Sequence, residues 1–323
     1  MAKYVVEIRR IDDDHVKEAS HLTFERYLFN DSVHLLSQPC TNGYCFQLFS
    51  SRNRIEARLN LFVRAETGLS PCRAPFGGLE FNPRLDVRHL DALLEAIEAF
   101  ARTQGLHQLR ITSYPFSYAP ETAQTITQRL LDRGYTIYKS DLSHHLPIGA
   151  GAFESLLTGS EKRRLNKCRK AGFKLREETQ PELDSVYQFV KSCRERRGFP
   201  ISLQLEEFKE LFRRFPDTYT VFTLRDGNTI VALTVTVRIN ERILYNFYPA
   251  DADEYLGYSP TVMVTQGVYD YGREKGYGLL DLGVSTDRGA ANYGLIRFKK
   301  NLGAQGSLKL SFEKTFTSRH SAD

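Results

Sequence analysis

Hydrophobic and polar positions follow two periods along this chain, and the order of the periods repeats. Residues 44–65, "YCFQLFSSRNRIEARLNLFVRA", read as strand, turn, strand. Residues 219–239, "YTVFTLRDGNTIVALTVTVRI", read the same way, with the turn signal "RDGN" between β-branched runs. A helical period follows each pair. In "LDALLEAIEAFARTQG", Leu90, Leu93, Leu94, Ile97 and Phe100 share one face up to Gly105, and "SPTVMVTQGVYDYGREKG" runs to Gly276. A short apolar strand comes next in each half, "LHQLRIT" and "YGLLDLGV". Second helices then end at Gly134 and Gly303, and a final strand closes each half. All four glycines suit the left-handed position just past a helix.

This repetition predicts an α/β fold of two tandem domains. Each is a mixed central sheet flanked by helices, with a strand pair first and β–α–β crossovers after it. Gly and Pro cluster in "LPIGAGAF" at residues 146–153, which places the domains at 1–147 and 148–323. A chain of 323 residues has room for two such cores.

Composition narrows the class. Apolar residues make up 41% and charged residues 26%, an ordinary globular balance. No apolar run is long enough to span a bilayer, and the start "MAKYVVEIRRIDDD" lacks the apolar core of a signal peptide. The expectation is a cytoplasmic protein with no membrane partner. The five cysteines, Cys40, Cys45, Cys72, Cys168 and Cys193, include no C-x-x-C, so free thiols in a reducing compartment are expected. His144 and His145 are adjacent, but no cysteine or acidic cluster nearby completes a metal site, and no metal is expected.

The net charge is +5, unevenly spread. Residues 160–176 hold eight basic residues and one acid, Glu161. A helix from Lys162 to Arg176 would offer Lys162, Arg163, Lys167 and Lys170 to an anionic partner such as a phosphate or RNA. A solvated helix face is the plainer reading.

The halves differ at the start of the central helix. In the second half "DEYLGYSP" precedes it, with Gly257 for close backbone approach, Ser259 as N-cap and Pro260 as first helical residue. Free backbone N–H groups there would suit a phosphate, so Gly257, Tyr258, Ser259 and Pro260 are the expected cofactor-binding residues. The first-half counterpart "NPRLDVRHLD" has no glycine. Simple capping also accounts for Ser-Pro.

The last helix, in "NYGLIRFKKNLGAQG", carries adjacent lysines. Leu295 and Phe298 mark its inward stripe, which puts Lys299 at the margin of that stripe and Lys300 toward solvent. Lys299 either snorkels into water or projects a fixed charge into a cleft, where it would stabilise an oxyanion. Acids lie nearby in sequence. Asp251, Asp253 and Glu254 in "YNFYPADADEY" lead into the donor loop, where an acid would take a proton and a tyrosine such as Tyr258 return one. A solvated acidic loop is the alternative. Asp281 sits at a strand centre, with Asp287 and Arg288 after the strand.

The motifs "YLGYSPTVMVTQGVYDYGREKGYGLLDLGVSTD" and "YGLIRFKKNLGA" resemble the second domain of the Fem-type peptidyltransferases, tandem proteins of the GCN5-related N-acetyltransferase (GNAT) fold. "SPCRAPFGGLEF" and the basic helix in "EKRRLNKCRKAGFKLRE" resemble theirs too. The resemblance runs from about residue 44 onward and implies an acyltransferase. It would move an acyl or aminoacyl group from acetyl-CoA, another acyl-CoA or an aminoacyl-tRNA onto a small-molecule or peptide amine. It places Lys299 near the reacting carbonyl, and it implies tRNA contact through the basic helix. The helical-arm insertion of some members is missing, and "YLGYSP" has one glycine where an acetyl-CoA pyrophosphate loop has two. With no Ser–His–Asp or Cys–His arrangement apparent, direct attack by the amine is expected. The rival expectation is a non-catalytic tandem protein that recognises an anionic ligand or RNA.

Overall fold

The computed structural model describes residues 4–11, 21–199, 201–287 and 289–316. The chain divides into two compact units. One comprises Met1–Asp141 with Ser307–Asp323, the other Leu142–Gly306. This differs from a cut after residue 147. Residues 142–147 group with the second unit, and the end of the chain groups with the first.

The elements of the first unit are β1 (Val5–Arg10), α1 (Ser32–Leu36), β2 (Gly43–Phe49), β3 (Ile55–Arg64), β4 (Thr67–Ser70), β5 (Leu79–Phe81), α2 (Val87–Thr103), β6 (Gln108–Thr112), α3 (Pro120–Asp132) and the start of β7 (Thr136–Pro147). The second unit holds the end of β7, then α4 (Gly159–Lys170), β8 (Lys174–Glu178), α5 (Leu183–Arg196), α6 (Leu205–Arg214), β9 (Tyr219–Asp226), β10 (Thr229–Arg238), β11 (Ile243–Asn246), β12 (Ala250–Asp251), α7 (Thr261–Glu274), β13 (Leu279–Val284), β14 (Thr286–Asp287), β15 (Ala290–Ala291) and α8 (Tyr293–Asn301). The last strand, β16 (Gln305–Thr315), carries the chain back to the first unit.

Both sheets are mixed, and each has one parallel pair in the same place. In the first unit the order is β1-β2-β3-β4-β6-β16, with β4 and β6 parallel. In the second it is β7-β13-β11-β10-β9-β8, with β11 and β13 parallel. Helices α2 and α7 each precede the second strand of the parallel pair, as a crossover must. The repeat expected from periodicity is therefore present as topology. The four helix-ending glycines all have positive φ, from 66° at Gly105 to 88° at Gly303.

The closing strands are exchanged. β16, from the end of the chain, pairs antiparallel with β6 in the first unit, Ser311 opposite Thr112. The end of β7 pairs antiparallel with β13 in the second, Leu280 opposite Leu146.

The second unit's core lies between its sheet and helices α4 and α7. Leu244, Leu280 and Leu282 from the strands meet Leu165, Cys168, Val262, Val264 and Val268 from the helices, and Leu302 closes the cluster. The α7 backbone comes so close to β8 that a Cβ at Gly267 would stand 1.8 Å from Leu175 Cδ2. Glycine is needed there for approach rather than for its φ.

Two expectations change. Cys40 and Cys72, in the first unit, are paired in a disulfide with their Cα atoms 6.6 Å apart, while Cys45, Cys168 and Cys193 are buried and not disulfide-bonded. The chain folds back between β1 and β5 to bring the two together, and their irregular sequence spacing gives no sign of it. Ser259 is not a side-chain cap. It ends a 3-10 turn at Asp253–Tyr258 in the left-handed conformation, φ 54° and ψ 57°, and Pro260 takes the N-cap position of α7. Among the described residues no helix is long and apolar enough to cross a membrane.

Candidate functional site

Helix α8 forms because Asn292 caps it, its side chain accepting from Leu295 N at 3.0 Å, and because Phe298 packs against the core. The next residue round the helix is Lys299. It is only 5% exposed, whereas its neighbour Lys300 is exposed. The two lysines thus divide into one surface and one interior residue. Lys299 Nζ donates to the carbonyl of Gly283 at 2.8 Å and to that of Val284 at 3.0 Å.

Those carbonyls lie where β13 shifts register against β7. Asp281 pairs with His145, Val284 pairs with Ser143, and the ladder shifts between them. Gly283 has φ 72°, which a larger residue adopts only at a cost, and its N–H donates to Asp281 Oδ1 at 2.7 Å. Ser143 Oγ reaches the same oxygen at 3.4 Å. On the other side of the turn, Ser285 Oγ and His144 Nδ1 are 2.9 Å apart, and Ser285 N donates to Leu142 O at 2.7 Å. Ser285 and His144 are fully buried.

Burial pulls the Lys299 ammonium down from 10.5 to about 7, with the Asp281 carboxylate opposing it. Burial also lowers His144 to about 4, and the charge of Lys299 adds to that effect. His145 is lowered as well, again by burial, against Asp281. Tyr245, opposite Asp281 on β11, is raised by burial and then by that carboxylate. A lysine near neutrality, a neutral histidine and a buried carboxylate therefore converge at the open end of the parallel β11–β13 pair. Perturbed groups gathered at a strand end are a site signal in α/β folds.

The loop expected to hold a donor lies at the start of α7. Gly257 has open space where a Cβ would stand. Helix α4 grips the loop from one side, with Lys167 Nζ donating to Gly257 O at 2.7 Å and Cys168 Sγ donating to Tyr258 O at 3.3 Å. Lys167 also sits 4.6 Å above the Tyr258 ring, whose edge meets Phe173 at 5.1 Å. The loop's carbonyls are thus turned to α4, and a fixed cation stands beside an N-terminal helix end.

The other expected site residues are either paired or exposed. Asp251, on β12, is buried and ion-paired with Arg197 at 2.7 Å. Glu254 is exposed on the 3-10 turn, and Asp253 beside it pairs with Arg196 at 3.4 Å. Arg288 lies outside the described residues. In the basic helix, Arg164 pairs with Glu161 at 2.7 Å and Arg169 pairs with Glu154. Lys162, Arg163 and Lys170 are exposed with no partner among the described residues.

Sequence reasoning missed Ser285 and the use made of His144. The signal was present in "SDLSHHLP", where polar residues occupy both faces of one strand, Asp141 and Ser143 on one side and His144 on the other.

Residues 160–300 match the acetyltransferase (GNAT) domain family. No curated protein sequence matches the chain. Solved structures do. FemX aligns with a TM-score of 0.68 at 14% identity, over 96% of this chain and 97% of that one. A tandem GNAT protein from the clavulanic acid biosynthesis pathway aligns with a TM-score of 0.55 at 13% identity, over 97% and 98%. L-PGS from Bacillus licheniformis aligns with a TM-score of 0.58 at 13% identity, over 96% and 94%. Both the buried lysine and the loop before α7 fall inside the matched residues. Residues 160–300 thus resemble a GNAT acetyltransferase domain, and the chain shares its tandem fold with FemX and the tandem GNAT protein.

Proposed function

We propose that the protein is an acyltransferase in which an amine attacks a donor carbonyl directly, with Lys299 stabilising the oxyanion. The observation that carries this reading is the ammonium of Lys299, buried and aimed by two backbone carbonyls. An ammonium has three N–H groups, and two are engaged, so one remains for an incoming oxygen. Held in a dry site, that donor stabilises developing negative charge far better than a mobile surface lysine would.

An acyl-CoA thioester or an aminoacyl-tRNA ester would supply an activated carbonyl. The residues present fit the phosphate-bearing part of either. Gly257, Tyr258, Ser259 and Pro260 form the cradle, open at Gly257 and flanked by Lys167. In the transfer the amine nitrogen bonds to the acyl carbon, the bond to the donor's sulfur or oxygen breaks, and the amine's proton leaves. Glu254, exposed beside the cradle, is suited to accept that proton, and Tyr258 to return one to the leaving group. Asp251, tied to Arg197, holds the loop.

Calorimetric titration with acetyl-CoA, and with CoA alone, tests the donor. Saturable binding weakened by Ser259→Glu supports acyl-CoA. Absence of binding at millimolar ligand moves the donor to aminoacyl-tRNA. The role of Lys299 fails if Lys299→Ala keeps full transfer activity.

One observation favours a second reading. The unpaired Lys162, Arg163 and Lys170 on α4 suit an anionic partner, whether the tRNA of a donor or an RNA bound without chemistry. Charge reversal at these three positions should weaken RNA binding with a reduced salt slope. Loss of RNA binding in a protein that never transfers an acyl group would favour the binding role.

A further inference from the structure

We propose that the Ser285–His144 hydrogen bond is a positioning device for Lys299, holding in place the turn whose two carbonyls grip the ammonium. The inference rests on the reading of Lys299 given above, and it adds two residues that do not touch the reacting atoms.

The geometry runs in sequence. The gripping carbonyls belong to Gly283 and Val284, and the very next residue is Ser285. Past the register shift the ladder resumes only at Val284 opposite Ser143, so the turn that follows needs a further bond to hold it. Ser285 supplies it three ways. Its N–H goes to Leu142 O, its carbonyl accepts from Asn292 N at 2.9 Å, and its hydroxyl meets His144 Nδ1. Asn292 also caps α8, the helix that bears Lys299. One residue therefore ties together the strand β7, the carbonyl grip and the helix that places the lysine.

His144 suits this role because it stays neutral. A second cation beside Lys299 and Lys300 would repel the ammonium, and burial opposes one. The neutral ring still has one nitrogen to share with Ser285. The groups that face this pair and Lys299 are Asp281 on β13, His145 on β7, Tyr245 on β11 and Lys300 on α8.

The test reads Lys299 itself, so it needs no substrate. Lysine-selective 13C labelling, with Lys299→Met to assign the signal, gives the titration midpoint of Lys299 by NMR. Ser285→Ala and His144→Leu should loosen the turn, admit water to replace the carbonyls and relieve the burial that lowers the midpoint. The expected result is an upward move of about one pH unit in both. His144→Asn, which keeps a polar group where Nδ1 stands, should leave the midpoint near that of the unaltered protein. Unchanged midpoints in Ser285→Ala and His144→Leu would overturn the proposal. So would equal shifts in His144→Asn and His144→Leu, because that would make His144 packing only. Full transfer activity in Lys299→Ala is a different failure. It would remove the catalytic role of the lysine and leave the titration result standing.

Discussion

The Nζ of Lys299 lies 2.8 Å from the carbonyl oxygen of Gly283, across a gap of sixteen residues in the chain. A charged group that is only 5% exposed needs partners, and here they are backbone dipoles rather than a carboxylate. That choice keeps the ammonium weakly acidic. A direct ion pair would raise its pKa and bind its remaining proton to the protein.

The first prediction follows from the proton count. With the neutral amine, both N–H groups are spent on the two carbonyls and none faces the substrate. Oxyanion stabilisation therefore needs the ammonium form, and kcat should fall as pH rises through about 7. A rate that climbs through that range would instead make Lys299 a base. Lys299→Ala should lower kcat by roughly a hundredfold to a thousandfold, the usual effect of losing one oxyanion donor. Initial rates across pH 6 to 9 check both points (a range from about one unit below the midpoint to about two above it).

Stability should respond to the same group. The folded pKa of about 7 lies below the ordinary 10.5, so the unfolded chain binds more protons between those values. Stability contributed by this site therefore rises with pH across that window, and the full cost of burying the charge is present below it. Lys299→Met removes the cost. It should raise Tm at neutral pH and flatten the rise on the basic side, as differential scanning calorimetry will show.

Two buried histidines act in the same sense at lower pH. His34 and His144 are both lowered from 6.5 to about 4, chiefly by burial. The unfolded chain takes up protons first, so stability is lost as pH falls from 6.5 toward 4. A His34→Gln variant should lose less stability over that interval than the unaltered protein. Urea midpoints at stepped pH test it.

Packing at Gly267 offers a check away from the site. A Cβ there would overlap Leu175, so Gly267→Ala should cost about 1–3 kcal/mol. Shortening the partner makes room. Gly267→Ala combined with Leu175→Ala should destabilise by less than the sum of the single changes, a coupling that denaturant unfolding of all four proteins will measure.

Much of this fold is readable from the sequence because its signals are local. The strand pairs, the crossover helices and their terminal glycines follow from period and turn chemistry, and so does the contrast between Lys299 and Lys300. What Lys299 touches is not readable, because its partners are backbone atoms of a distant strand end, beside a register shift that Gly283 allows. Ser285 and His144 were hidden for the same reason, since a buried polar pair looks like any alternating strand until the fold joins β7 to β13. The Ser259 expectation failed differently. Ser-Pro is a sound capping signal, and the 3-10 turn before it moved the cap by one residue.

The exchanged closing strands bear on how the protein is made. The first unit's sheet is finished by β16, which is synthesised after every element of the second unit. Until β16 is made, β6 has one edge without its antiparallel neighbour, and such an edge invites wrong pairing. The N-terminal unit therefore matures no sooner than the C-terminal one, despite its lead in translation. Deleting β16 alone would injure the domain encoded farthest from it.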